Sequence, residues 1–192
     1  MALDFSTILT GHYGEMIVKG ATVTLELALG AWLLAMFIAL LLLVIRLSEN
    51  RIAVRLVAAY VSYHRNVPTL IQLMMWYFAI PTLTGVNLDR MNATILAFSI
   101  NYAAYFAEIF RGGIQAIPNG QYEAGQVLGM TKTQIFFKIT LLQVIKRIIP
   151  PMGNEFINLV KDTALARTIA VYEVLWMGEK FIKSAGIIWP LF

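Results

Sequence analysis

The chain has 192 residues, of which 59% are apolar and only 14% charged, with a formal net charge of +4. Soluble domains carry nearer a quarter charged residues, so the composition excludes an ordinary soluble domain and leaves room for one membrane domain of four or five helices. With no cysteine, disulfides and thiolate metal sites are excluded as well.

Taken in chain order, the first sixteen residues are mixed and read as a short surface segment. They lack a basic run followed by an apolar core and a small-residue cleavage site, so the first span is expected to act as its own signal. That span runs over about residues 17–45, and residues 27–45 carry no charge. A bilayer core needs roughly 20 apolar residues per helix. Arg46-Leu47-Ser48-Glu49-Asn50-Arg51 ends it. Residues 52–64 form the approach to a second span at about 66–82, with Pro68 and Pro81 near its ends. Thr84-Gly85-Val86-Asn87 reads as a turn. A third span covers about 91–110.

The polar stretch 111–138 is punctuated at Gly112-Gly113, Pro118-Asn119-Gly120 and Gly129, which suggests two short helices and a turn. A fourth span is expected from about 144 to 165, through Pro150-Pro151. Residues 168–183 read as an amphipathic connecting helix with a turn. A new apolar run opens at Ser184, and nine residues (184–192) supply less than half of a span. The full protein is therefore expected to continue beyond Phe192.

Basic residues gather at span ends, where membrane proteins keep them, so the positive charge does not argue for nucleic acid. Arg46, Arg51 and Arg55 flank the first loop, and Arg111, Lys132, Lys138, Lys146 and Arg147 flank the third. These loops are expected to be cytoplasmic and the N-terminus outside.

Three groups of residues invite a functional reading. Gln121, Tyr122, Glu123, Ala124, Gly125, Leu128, Gly129 and Met130 form a compact protrusion between apolar segments. Glycine there allows a tight turn, and Glu123 is expected near a helix start, where a carboxylate favours the dipole. On the fourth span, Glu155 and Asp162 are seven residues apart and share a helical face, with Asn154 and Asn158 beside them. Ionisable groups inside a span are costly and mark a substrate path; pairing of Asp162 with Lys161 or Arg167 is the structural alternative. At the end of span three, Glu108 is expected to pair with Arg111 at i,i+3 or with Arg65. Enzyme signatures are lacking. No GxxxxGK[ST] phosphate loop occurs, and His12 and His64 belong to no metal motif.

Several stretches resemble one family. Arg65-Asn66-Val67-Pro68-Thr69-Leu70-Ile71-Gln72 looks like the start of the second span in permeases of ABC importers for polar amino acids. Ala104-Tyr105-Phe106-Ala107-Glu108-Ile109-Phe110-Arg111-Gly112-Gly113 looks like their third span. Pro118-Asn119-Gly120-Gln121-Tyr122-Glu123-Ala124 with Leu128-Gly129-Met130 resembles their coupling loop, the EA-x-x-x-x-G pattern followed by Ile139 and Leu141. Asn154 to Leu165 looks like their fourth span. Gly125 departs from a usual Ala, and Leu142 from a usual Pro.

The resemblance implies an all-α integral membrane protein of type I importer fold, a single domain over 1–192. About five transmembrane helices are implied, the last incomplete, with a cytoplasmic coupling loop at 118–142. It further implies a multi-pass plasma-membrane subunit that imports a polar amino acid along Asn154, Glu155, Asn158 and Asp162. The implied partners are a cytosolic ATPase dimer, which would hold ATP and Mg, a second permease subunit (the same or homologous) and an extracytoplasmic substrate-binding protein. No cofactor or metal is implied on this chain. A stand-alone channel or ion-coupled secondary transporter is the rival class.

Overall fold

The computed structural model describes residues 11–185, and side chains from 14 to 183. The expected N-terminal surface segment falls mostly outside that range, as does nearly all of the fifth span.

Helix α1, Gly11–Arg46, is apolar on every side. Most of its buried residues are small: Ala28, Ala31, Ala35 and Ala39 are fully covered, with Leu27 the one large side chain among them, while Leu33, Phe37 and Val44 point outward. Small residues inward and large apolar residues outward is the arrangement of a helix that packs closely on protein and faces lipid. Helix α2, Arg51–Asn66, is capped by the Asn50 side chain, which accepts from the amides of Ile52 and Ala53 at 3.1 Å each.

The expected second span is broken. Val67 is extended, at φ −96° and ψ 128°, because a residue before proline avoids the helical region. After Pro68 the chain resumes as α3, Thr69–Met74, passes through a π-helical turn at Met75–Ala79 and ends in α4, Ile80–Thr84. Gly85 closes α4 at φ 74°, with its amide bonded to the Pro81 carbonyl at 2.8 Å. The turn read from the sequence thus stands where expected.

Helix α5, Arg90–Gln115, starts under Asp89, whose carboxylate accepts from the Asn92 amide at 3.1 Å. That hydrogen bond holds the exposed Asp89 carboxyl below the usual carboxylate range. Among the described residues, α1 and α5 are long and apolar enough to cross a membrane. Helix α6 (Asn119–Val127) and α7 (Lys132–Ile135) follow. A second π-helical turn at Phe136–Thr140 then leads into α8, Leu141–Asp162. The expected fourth span ends earlier than predicted, at Asp162, where the helix tightens to a 3-10 helix over Thr163–Ile169. Helix α8 also carries Lys146, Arg147, Glu155, Lys161 and Asp162, so it is amphipathic rather than wholly apolar. After a left-handed Ala170, α9 spans Val174–Ala185. No strand occurs among the described residues.

By contact the chain forms two compact units. One comprises the described parts of Met1–Leu33, Pro68–Phe98 and Asn158–Phe192. Here the start of α9 is fastened to α1. Thr24 accepts the Val174 amide at 3.2 Å, and Gly20 lies so close that a Cβ there would stand 2.8 Å from Val174 Cα. Glu173, 1% exposed, turns back to accept the amides of Leu175 and Trp176, both at 2.8 Å. The first three amides of α9 are thereby satisfied, and a helix end buried without such partners would be costly. Arg167 pairs with Glu179 at 2.7 Å.

The other unit comprises Leu34–Val67 and Ser99–Ile157. Buried Phe106, Phe110, Val57 and Val61 supply its apolar core. Asn101 donates to the His64 carbonyl at 3.0 Å, and the Tyr60 hydroxyl donates to the Ile100 carbonyl, so polar side chains tie α5 to α2.

Candidate functional site

The polar stretch after α5 folds as a helical hairpin. Pro118 sets the start of α6, since proline lacks the amide that a first turn leaves unpaired anyway. At the other end, Met130 donates to the Gly125 carbonyl at 3.0 Å and Gly129 to the Gln126 carbonyl at 2.9 Å. This pair of bonds is a Schellman closure, which requires a left-handed residue at the turn; Gly129 supplies it at φ 71°. Thr131 and Gln134 then cap α7 reciprocally, side chain to amide in both directions.

Gly125 is buried inside the hairpin, where a Cβ would stand 2.6 Å from Ile135 Cγ1. Ile135 is itself 1% exposed. The departure from alanine at this position is therefore matched to a large neighbour. Gln143 donates to Gln121 at 2.9 Å and ties the hairpin to α8. Leu142 keeps its amide, and the helix runs through it.

One expectation for the hairpin is corrected. Glu123 does not sit in the first turn of its helix, because α6 begins at Asn119. Instead the hairpin tip is apolar. Val127 is 88% and Leu128 76% exposed, and Tyr122, Phe136 and Phe137 are exposed as well. Large apolar side chains held open on a polar loop mark an interaction surface.

Asn154, Glu155, Asn158 and Asp162 all fall on α8. At about 100° per residue they occupy one sector of roughly 100° of its circumference. Glu155 and Asp162 are half-buried, and Asn154 and Asn158 are exposed. Pro150 and Pro151, one turn before, have no amide to give to the carbonyls of Lys146 and Arg147.

At Glu108 the expected pairing holds in part. Arg111 Nε donates to Glu108 Oε2 at 3.0 Å, and Arg111 Nη2 pairs with Oε1. The second partner is Arg46, whose Nη1 lies 3.0 Å from Oε2. Arg65 is not in the ion pair; its guanidinium lies over the Tyr105 ring, 5.5 Å from the centroid. Two arginines in direct contact already compensate the carboxylate, and Arg65 acts on it only through space, as a third positive charge. Sequence reasoning missed Arg46, although it is the first charge after an apolar run. It also missed Glu173, an acid directly before an apolar helical segment, which is a helix-start signal. Among the described residues no group of three or more His, Asp or Glu is placed to hold a metal ion.

The sequence pattern of the binding-protein-dependent transport system inner membrane component matches residues 31–190. Among similar proteins is the probable amino-acid permease protein YxeN of Bacillus subtilis, 36% identical over 88% of this chain and 76% of its own length. The L-cystine transport system permease protein TcyB of the same organism is 37% identical over 88% and 77%. Its arginine transport system permease protein ArtQ is 33% identical over 91% and 79%. A crystal structure of an amino acid ABC transporter with histidines superimposes at a TM-score of 0.84, with 29% identity, over 98% of this chain and 87% of that one. The MetNI methionine ABC transporter shares the fold at a TM-score of 0.70. With the family pattern covering most of the chain and the fold matching throughout, this protein belongs to the family of binding-protein-dependent transport system inner membrane components, the permease subunits of ABC importers.

Proposed function

We propose that the chain is the permease subunit of an ATP-driven importer of polar amino acids. The observation that carries this reading is the hairpin of α6 and α7. It is rigidly closed at Gly129 and Thr131 and presents bare apolar side chains at its tip. Such a protrusion passes force to a soluble partner, and the partner is a cytosolic ABC ATPase dimer that holds ATP and Mg. Relatives named for amino-acid, cystine and arginine transport support the cargo class.

The polar sector of α8 suits that cargo. Carboxylates at Glu155 and Asp162 attract an ammonium group, and Asn154 and Asn158 offer both donors and acceptors. A second permease subunit encloses the path, and an extracytoplasmic binding protein delivers the amino acid. The basic loops support an orientation with the hairpin in the cytoplasm and the N-terminus outside. ATP binding closes the ATPases and rocks the helices about a site at mid-depth.

The test is reconstitution with the ATPase and binding protein, followed by a screen of amino acids for stimulation of ATP hydrolysis. Stimulation by a polar or cationic amino acid is expected. Uptake that runs on an ion gradient with no ATPase present overturns the proposal in favour of a secondary transporter.

A further inference from the structure

Arg46, Ser62, Arg65, Asn66, Tyr105 and Glu108 line a cleft of about 440 Å³, all within one compact unit. Its electrostatics are one-sided. Both oxygens of Glu108 are engaged, by Arg46 and by Arg111, so the one carboxylate has little acceptor capacity left. Donors remain. Arg46 Nε is buried and has no hydrogen-bond partner. The Arg65 guanidinium lies over the Tyr105 ring without an ion pair, whereas the Asn66 amide is already spent on the Ser62 carbonyl and hydroxyl. A cleft rich in guanidinium donors and poor in acceptors selects an anion over a zwitterion, and guanidinium matches phosphate oxygens in fork geometry.

Helix α2 says what kind of phosphate. Arg51, Arg55, Ala58, Ser62 and Arg65 recur at spacings of four and three, one stripe that leads along the helix into the cleft. The adjoining stripe, Ile52, Leu56 and Tyr63, is apolar and exposed. The cleft also begins at Arg46, the last residue of a helix apolar enough to cross a membrane. Guanidinium groups beside bare apolar side chains at the end of a span form the pattern of a surface that lies at the headgroup boundary.

We propose that this cleft is a binding site for the phosphate headgroup of an anionic phospholipid, with the acyl chains lying along the apolar stripe of α2. The site is independent of the cargo and of the hairpin.

Native mass spectrometry of the purified full-length chain, loaded with phosphatidylglycerol or phosphatidylcholine, tests it. Preferential retention of phosphatidylglycerol is expected. Arg46→Gln removes a partner of Glu108 and can unfold the protein, so Arg65→Gln carries the test. One arginine near a membrane surface is worth about fivefold in affinity, and Arg65→Gln should lower phosphatidylglycerol retention by at least that factor. Arg51→Gln, on the same stripe but outside the cleft, should lower it less. Equal retention of the two lipids overturns the proposal. So does an equal loss in Arg51→Gln and Arg65→Gln, which is the mark of diffuse surface charge. Displacement of the lipid by millimolar inorganic phosphate assigns the cleft to a soluble anion and overturns the lipid as its occupant.

Discussion

Gly125 and Ile135 interlock: a Cβ on the glycine would lie 2.6 Å from Ile135 Cγ1 and 2.9 Å from Cδ1. The two helices of the hairpin approach this closely only because one residue has no side chain. The angle at which the exposed tip is presented depends on that approach, so packing at this one contact bears on the proposed coupling.

Gly125→Ala should therefore push α6 and α7 apart. Forcing a methyl into a filled site costs about 1–3 kcal/mol. Thermal unfolding of the purified variant is expected to fall, and its ATPase stimulation in the assembled complex should fall with it. Adding Ile135→Ala should restore part of both, because the two substitutions share one contact. Strict additivity of the pair rules the interlock out.

Gly129→Asp separates folding from docking. Nothing lies within 4 Å of a Cβ at Gly129, so the side chain meets no clash. The left-handed backbone costs an aspartate about 1–2 kcal/mol, which leaves the protein inserted. The new charge stands beside Val127 and Leu128 on the apolar tip. Transport and substrate-stimulated ATP hydrolysis should be lost at parental membrane levels. Parental ATPase stimulation in this variant removes the docking assignment.

Glu155→Ala tests the polar sector of α8. A carboxylate held against an ammonium contributes about 1.5–3 kcal/mol, which is tenfold or more in apparent affinity. Uptake normalised to membrane level should weaken by that factor for cationic or polar amino acids. Combination with Asp162→Ala should be worse than either change alone. Parental uptake of every amino acid by a well-inserted Glu155→Ala variant ends the path reading, and lost expression points to a structural role instead.

Glu173→Ala orphans the part-buried amides of Leu175 and Trp176. Losing a helix cap costs about 0.5–2 kcal/mol, and two amides lose their acceptor here. Glu173→Gln keeps one acceptor oxygen and should be milder. Gly20→Ala attacks the same joint from α1, against the Val174 backbone rather than a flexible side chain. Both Glu173→Ala and Gly20→Ala should lower the melting temperature; an unchanged value for either shows that the joint does not hold α9.

The sequence by itself determined the class, the order of the helices and the family. Hydropathy and charge act locally along the chain, so the uncharged runs at 27–45 and 91–107 announced α1 and α5 without reference to any neighbour. Turn chemistry is equally local. Gly85 and Gly129 stand at positive φ where the sequence placed turns, and Pro68 enforces a break through the residue before it. The position of Glu155 and Asp162 on one face follows from helical periodicity alone. Pairings across long separations were decided only by the tertiary structure. Arg46 and Glu108 are 62 residues apart and Thr24 and Val174 are 150 apart, and no local rule selects Arg46 over Arg65 as the partner. The smallest residues were the least legible, since Gly20 and Gly125 are required by what approaches them rather than by their own backbone, and that approach exists only once the helices have packed.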